Sequence, residues 1–106
     1  MFKRDPNPVF KAVVDISQPG GESRPLSLNF RHKTSSQLEA FIAETAPRTD
    51  AEMLQAMVAS VDADLKQPGE TDADFLADVC EKYPTAKSDI FRTYLRELTQ
   101  SRVKNF

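Results

Sequence analysis

Residues 10–16 read FKAVVDI and residues 26–32 read LSLNFRH, and both segments alternate between apolar and polar side chains. The apolar face of the first segment consists of Phe10, Ala12, Val14 and Ile16, and that of the second begins with Leu26, Leu28 and Phe30. Lys11 and Asp15 lie on the opposite face of the first segment. A period of two is typical of strands that are buried on one side only, so the sequence predicts a pair of β-strands.

The connection between the two segments has the composition of a turn. It contains Pro19, which fixes φ, followed by Gly20 and Gly21, which tolerate positive φ. We therefore expect an antiparallel hairpin whose loop is long, with residues 23–25 delaying the return to strand pairing. Two strands are marginally stable alone in water, so the apolar face needs a cover from the rest of the chain.

The remainder of the chain changes to a helical period. Thr34, Thr49 and Thr71 each precede an apolar stripe and resemble helix N-caps, and Pro47 and Pro84 separate successive stripes. We expect about four short α-helices packed as a small bundle, the last from about Thr85 to Arg102. The stripes consist of Leu38, Phe41, Ile42 and Ala46; of Met53, Leu54, Met57, Val58 and Val61; of Phe75, Leu76, Val79 and Cys80; and of Ile90, Phe91, Tyr94, Leu95 and Leu98.

The sequence thus predicts an α+β fold in a single domain of 106 residues, with a β-hairpin region at 1–33 and a helical region at 34–106. An apolar content of 40% and seven Phe exclude the composition of a disordered chain. No apolar run reaches the ~18 residues of a membrane-spanning helix. Charged residues interrupt the first 25 positions, so we expect no signal peptide, and a single cysteine fits a reducing compartment.

Charge is distributed unevenly along the chain, although its net value is only −2. Residues 49–91 contain ten acids and three bases, whereas residues 92–106 contain four bases and one acid. Acids near helix starts and bases near helix ends complement helix dipoles and explain part of this pattern. The unexplained part, an acidic loop at 62–74 and a basic tail after Arg92, marks candidate surfaces for partners or self-association.

The search for catalytic chemistry gives no constellation. His32 is the only histidine, with no neighbour in sequence to orient it as a base, and Cys80 lies on an apolar stripe. The acids from Asp62 to Asp74 do not fit a calcium-loop register, because Lys66 and Gln67 occupy the fifth and sixth positions from Asp62. We expect no enzyme activity, no metal and no cofactor. The acidic composition also argues against nucleic-acid binding.

Several short motifs, in their order along the chain, resemble a family of tail assembly chaperones of long-tailed phages and prophages. The motifs are residues 1–3 (MFK), 5–10 (DPNPVF), 19–21 (PGG), 30–34 (FRHKT), 83–84 (YP), 94–98 (YLREL), Arg102 and 104–105 (KN). The resemblance spans nearly the whole chain and is weakest between about Ala59 and Glu70.

The resemblance implies a small non-enzymatic protein in the cytoplasm of the bacterial host, absent from the mature virion. Such a protein would bind the tape measure protein, keep it soluble and help recruit tail tube subunits. The major tail tube protein and a second copy of the chain are further partners that the sequence leaves open. No nucleic acid and no membrane are expected as partners.

Client contact is a hypothesis about the apolar stripe of the last helix, because that stripe is longer than a small hairpin needs as a cover. The residues are Phe91, Tyr94, Leu95 and Leu98, with Met53 and Met57 contributing. Arg102 and Lys104 would meet an acidic client or the acidic segment of another copy. Two alternatives stay open: a small structural tail component, such as a connector or tube-associated protein retained in the virion, and a host-directed regulatory or nucleic-acid-binding module, against which the net negative charge argues.

Overall fold

The computed structural model describes residue 2 and residues 4–44 and 49–103, with side chains of the last helix described as far as Thr99. The predicted hairpin is confirmed: β1 (Val9–Ser17) pairs antiparallel with β2 (Ser23–Arg31). Even-numbered residues of β1 from Ala12 to Ile16 are buried, and the odd-numbered ones are exposed. The α+β fold class predicted from the alternation is therefore correct.

The hairpin loop is shorter than predicted. Ser17 lies opposite Ser23, so pairing resumes immediately after residues 18–22, and residues 23–25 belong to β2. Pro25 is tolerated because the other edge of β2 pairs with residues 58–61 only from Leu28 onward, so the missing N–H of Pro25 breaks no ladder bond. Gly20 and Gly21 both have φ of +95°, a conformation that disfavours other residues.

Four helices follow: α1 (Ser35–Ala43), α2 (Asp50–Met57), α3 (Asp72–Lys82) and α4 (Ala86–Val103). The three predicted threonine caps are confirmed, and each forms a complete capping box in which a side chain three residues later bonds back to the threonine N–H. The predicted end of the first helix at Ala46 and Pro47 lies outside the described residues.

A third strand, β3 (Val58–Val61), was not predicted, and it lies inside the segment expected to be helical. It pairs antiparallel with β2, with a bulge opposite Asn29 and Phe30, and it follows the last residue of α2 without a loop. Two cations end the helix at this point: Arg31 Nε donates to the carbonyl oxygen of Gln55 at 3.0 Å, and Lys33 Nζ donates to that of Ala56 at 3.1 Å. They satisfy carbonyls that a continuing helix would use itself.

The sheet has the strand order β1-β2-β3, and the helices cover one of its faces. Helices α2, α3 and α4 contact one another, but the most extensive helix contact in the described part of the chain joins α4 to β1. The predicted helices are present, and their most extensive packing is against the sheet. The core contains Val14, Leu28, Phe30, Met57, Ile90 and Tyr94, all with no exposed surface.

Tyr94 connects four elements in this core. Its ring lies 5.3 Å from that of Phe30, 6.2 Å from that of Phe10 and 6.1 Å from that of Phe41, measured between ring centroids. Its hydroxyl donates to the carbonyl oxygen of Arg31 at 2.7 Å. Burial raises the pKa of Tyr94 to about 12, so the phenol remains a protonated donor at neutral pH.

Asp89 connects α4 to the end of β1 through hydrogen bonds. Its buried carboxylate accepts the N–H of Ser17 at 3.0 Å, the hydroxyl of Thr85 at 3.1 Å and an N–H of Arg92 at 2.7 Å. Burial by itself would raise the pKa of Asp89, but these three donors outweigh it and hold the pKa below its usual value.

Replacing Tyr94 with Phe should lower the free energy of unfolding by about 1–2 kcal/mol, because the Arg31 carbonyl loses its buried donor while the ring contacts remain. Urea denaturation measures the change. Tyr83→Phe is the matched control, since Tyr83 is only half-buried, and we expect a change of about 0.5 kcal/mol or less. Equal losses in the two variants would contradict a special role for the Tyr94 hydroxyl.

Asp89→Asn should destabilise the protein at neutral pH, by about 1–3 kcal/mol for lost hydrogen bonds to a charged acceptor. Because the pKa of Asp89 is lowered in the folded state, its stabilisation is complete above the unfolded value of about 3.9 and is lost as pH falls through the folded value. The difference between wild type and variant should therefore shrink at acid pH. Urea titrations across this range measure it, with Asp78→Asn, an exposed acid paired with Lys82, as control. If the difference in free energy of unfolding between wild type and Asp89→Asn does not change with pH, the charge of Asp89 is not the source of the stabilisation.

Candidate functional site

Cys80 and His32, the two residues considered above for catalytic chemistry, both lie in described parts of the structure. Burial raises the pKa of the half-buried Cys80 thiol, as does the nearby Asp50 carboxylate, so the thiol stays protonated at neutral pH. His32 is half-buried, and its backbone N–H donates to the carbonyl oxygen of Pro8. Within the described residues, no group of three or more His, Cys, Asp or Glu side chains is placed to hold a metal ion.

The acids of the predicted loop stabilise the fold around β3. Asp62 accepts hydrogen bonds from Lys11 Nζ at 3.2 Å and from Asn29 at 3.3 Å, and the Lys11 bond chiefly lowers the pKa of Asp62. Asp72 accepts Lys66 Nζ at 2.8 Å and the N–H of Val61 at 3.1 Å, and the Lys66 bond chiefly lowers the pKa of Asp72. Two acids of the predicted loop, Asp62 and Asp72, therefore form contacts within the protein that stabilise the fold.

An apolar groove lies between α2 and α3. It encloses about 290 Å³ and is open to solvent. Its apolar lining consists of Ala51, Leu54, Ala73, Leu76, Ala77 and Cys80. Leu54 and Leu76, each only 4% exposed, are the buried members of this lining.

The groove exists because small side chains recur at helical spacing. Ala73 and Ala77 are one turn apart on α3, and Ala51 occupies the facing helix; all three are exposed. A methyl group at these positions leaves a depression where a Leu or Met would fill the space between the helices. The groove floor is therefore accessible to a side chain from another molecule.

Acids line the groove at both helices. Asp50 stands at the first residue of α2 and Glu81 near the end of α3. Asp50 is paired with Lys87 at 2.7 Å but remains 70% exposed, so solvent and partners still reach its carboxylate. The arrangement combines an apolar floor with a negatively charged rim, which suits a partner with apolar and basic side chains on the same face.

The predicted client residues fall into three groups. Met57 and Tyr94 have no exposed surface and belong to the core. Met53, Phe91, Leu95 and Leu98 are half-buried, and the Phe91 ring packs at 6.1 Å from that of Phe41. The side chain of Arg102, and Lys104 as a whole, lie outside the described residues, so their contact with an acidic surface stays a prediction.

The groove residues were not predicted as a site. The sequence did offer a signal: positions 73, 76, 77 and 80 lie on one face of a helix, and the exposed part of this face is made of alanines. The stripe predicted for this helix contains Phe75, Leu76, Val79 and Cys80 and omits both alanines. Alanines on one helix can form either a closed contact or an open groove. The outcome depends on which helix faces them and at what distance, and the sequence pattern does not give this.

Comparison with known proteins places the chain in a family. No described helix has the length and apolarity needed to cross a bilayer. No curated protein and no solved structure is significantly similar to the chain. A sequence model of the family described as phage tail assembly chaperone matches residues 1–105. The match covers essentially the whole sequence, and the chain therefore belongs to the phage tail assembly chaperone family.

Proposed function

We propose that this protein binds the tape measure protein in the cytoplasm of the bacterial host, keeps it soluble and helps recruit tail tube subunits around it. The observation that carries the proposal is the family match over residues 1–105, because a tail assembly chaperone implies a tail protein as partner. A chaperone role also suggests that the protein is not an enzyme.

The groove between α2 and α3 supports the proposal because it suits a helical client. An amphipathic helix binds in such a groove by inserting apolar side chains spaced three or four residues apart. The exposed methyl groups of Ala51, Ala73 and Ala77 would let the client backbone approach closely, and the floor formed by Leu54 and Leu76 would receive its apolar side chains. Asp50 and Glu81 would attract lysines or arginines beside that apolar stripe.

A small open groove also suits a chaperone that must release its client. Tight complexes rest on deeply buried aromatic or arginine anchors surrounded by a wide contact area. The groove encloses about 290 Å³, at the lower end of the range typical of ligand sites, and holds no aromatic side chain. We therefore expect affinity from several such contacts along a long client, with each contact individually weak.

The α4 stripe remains a second client surface in this proposal. Phe91, Leu95 and Leu98 keep part of their surface, and Met53 on α2 does so too. Met57 and Tyr94 support this surface from the core. Alanine substitution at the half-buried positions separates the roles: lost client binding in a folded variant supports contact, and unfolding assigns the residue to the core.

Filling the groove tests where the client binds. Ala77→Arg should reduce the tape measure protein that stays soluble and co-purifies on co-expression, on the order of ten-fold, because a blocked apolar pocket costs about 1–2 kcal/mol. Ala77 is exposed, so the fold should survive, which circular dichroism checks. Ala40→Arg is the matched control, since Ala40 is an exposed alanine of α1 outside the groove.

The outcomes of this experiment are distinct. If Ala77→Arg preserves the client as well as wild type does, the groove is not the client site. If wild type itself fails to keep the tape measure protein soluble, the proposed function is wrong.

The chaperone and the structural tail component differ in where the protein is found after assembly. An assembly factor leaves the finished particle, so mass spectrometry of purified virions should detect no peptide of this chain, while the lysate before assembly contains it. The major tail tube protein, present in many copies, is the internal control for peptide recovery. Stoichiometric recovery from virions would favour the retained connector or tube-associated protein.

A further inference from the structure

Strand β1 is an edge strand of the sheet within the described residues, and half of its backbone groups point away from β2. Gln18 N–H bonds to the Glu22 carbonyl, and His32 N–H bonds to the Pro8 carbonyl, which fixes the even-numbered positions of β1 as the ones bonded to β2. In an antiparallel ladder the bonding direction alternates. The odd-numbered residues from Val9 to Ser17 therefore direct their N–H and C=O groups outward.

An acidic side chain protects one end of each edge strand, but the middle of β1 has no such protection. The outward N–H of Ser17 is bound by Asp89, and on the short strand β3 the N–H of Val61 is bound by Asp72. No comparable acceptor meets the outward N–H of Lys11, Val13 or Asp15 among the residues that the structure describes. Val13 is also 49% exposed, so an accessible apolar side chain lies at the centre of this open stretch of edge.

We propose that two copies of the chain pair antiparallel through β1, with Val13 opposite Val13 of the second copy. In this register Lys11 lies opposite Asp15 of the second copy, and Asp15 lies opposite its Lys11. A two-fold axis makes both contacts equivalent, as in most homodimers. The central pairs, Val13 with Val13 and Lys11 with Asp15, each exchange two backbone hydrogen bonds, and opposite charges across the ladder add to its stability.

The charges select this register over its neighbours. A shift of two residues in either direction places Val13 opposite Lys11 or opposite Asp15 and leaves the charges without cross-strand partners. A shift of four residues places Lys11 opposite itself or Asp15 opposite itself, and like charges in that position are destabilising. A shift of one residue would turn the buried face of one copy toward solvent.

The rest of the sheet is compatible with the pairing. Val13, Lys11 and Asp15 all have exposed side chains on the face opposite the helices, so the two sheets would join with their helical layers on the same side. Lys11 also forms an exposed ion pair with Asp62 at 3.2 Å, and its side chain is 57% exposed. Asp62 lies on the side of β2, so Lys11 turns away from it to face Asp15 of the second copy, and an exposed ion pair of this kind costs little to break.

Charged residues on an edge strand also occur as protection against pairing, and the two roles predict different behaviour in solution. A self-pairing edge gives a concentration-dependent species of twice the 11.9 kDa of one chain. A protected edge gives a monomer at every concentration. Sedimentation velocity of the purified full chain over a wide concentration range measures this, and a monomer up to millimolar concentration overturns the proposal.

Charge reversal tests the register. Lys11→Glu and Asp15→Lys should each weaken self-association about ten-fold, equivalent to about 1.4 kcal/mol, because each places like charges opposite one another at two positions of the dimer. An equimolar mixture of the two variants should regain wild-type association, since every cross-strand pair is then of opposite charge. Asp62→Asn is the control for the intramolecular pair of Lys11 and should leave association unchanged.

A cross-link locates the contact independently. In a Cys80→Ala background, Val13→Cys should form an intermolecular disulfide on mild oxidation, because paired residues of a ladder lie at a distance that a disulfide can span. Ser27→Cys is the matched control: Ser27 lies opposite Val13 on β2, in the interior of the sheet, and should not cross-link. A dimer that is insensitive to charge reversal, or that cross-links equally at both positions, contradicts the proposal. The proposal does not depend on client binding, because every measurement uses this chain alone.

Discussion

The buried Tyr94 is the interaction on which the rest of the fold depends. Helix α4 is the last element of the chain, yet it covers the first strand, so the fold closes only when sequence-distant residues meet. Tyr94 provides this closure through its contacts with the rings of Phe10, Phe30 and Phe41, and through its hydrogen bond to the backbone of β2. A phenylalanine would supply the packing but would leave a strand carbonyl without a donor.

The sequence predicted those parts of the fold that depend on nearby residues. The alternation of residues 10–16 and the three threonine caps are local signals, and both are confirmed. Strand β3 depends on Arg31 and Lys33, which reach across from the hairpin to end α2. Val58 and Val61 fit the stripe of a helix as well as a strand, so periodicity alone gave the wrong answer there.

The candidate site was less predictable because it, too, depends on how residues that are distant in sequence come together. A long apolar stripe on α4 indicated more surface than the core needs, but Tyr94 and Met57 are fully used by the core. The open apolar surface lies instead where alanines on α2 and α3 face each other. Whether small side chains form a filled contact or a groove depends on the separation of two helices, which no pattern within either helix specifies.

The direct passage from α2 into β3 ties one wall of the groove to the sheet. Helix α2 continues into the sheet without an intervening residue, so tilting it would strain the pairing of β3 with β2. Helix α3 is separated from β3 by ten residues, 62–71, which include Gly69 at φ +81°. The first residue of α3, Asp72, nevertheless binds the N–H of Val61 at the end of β3, so both walls are anchored to the same short strand and the groove has a set width, like a slot cut to one gauge.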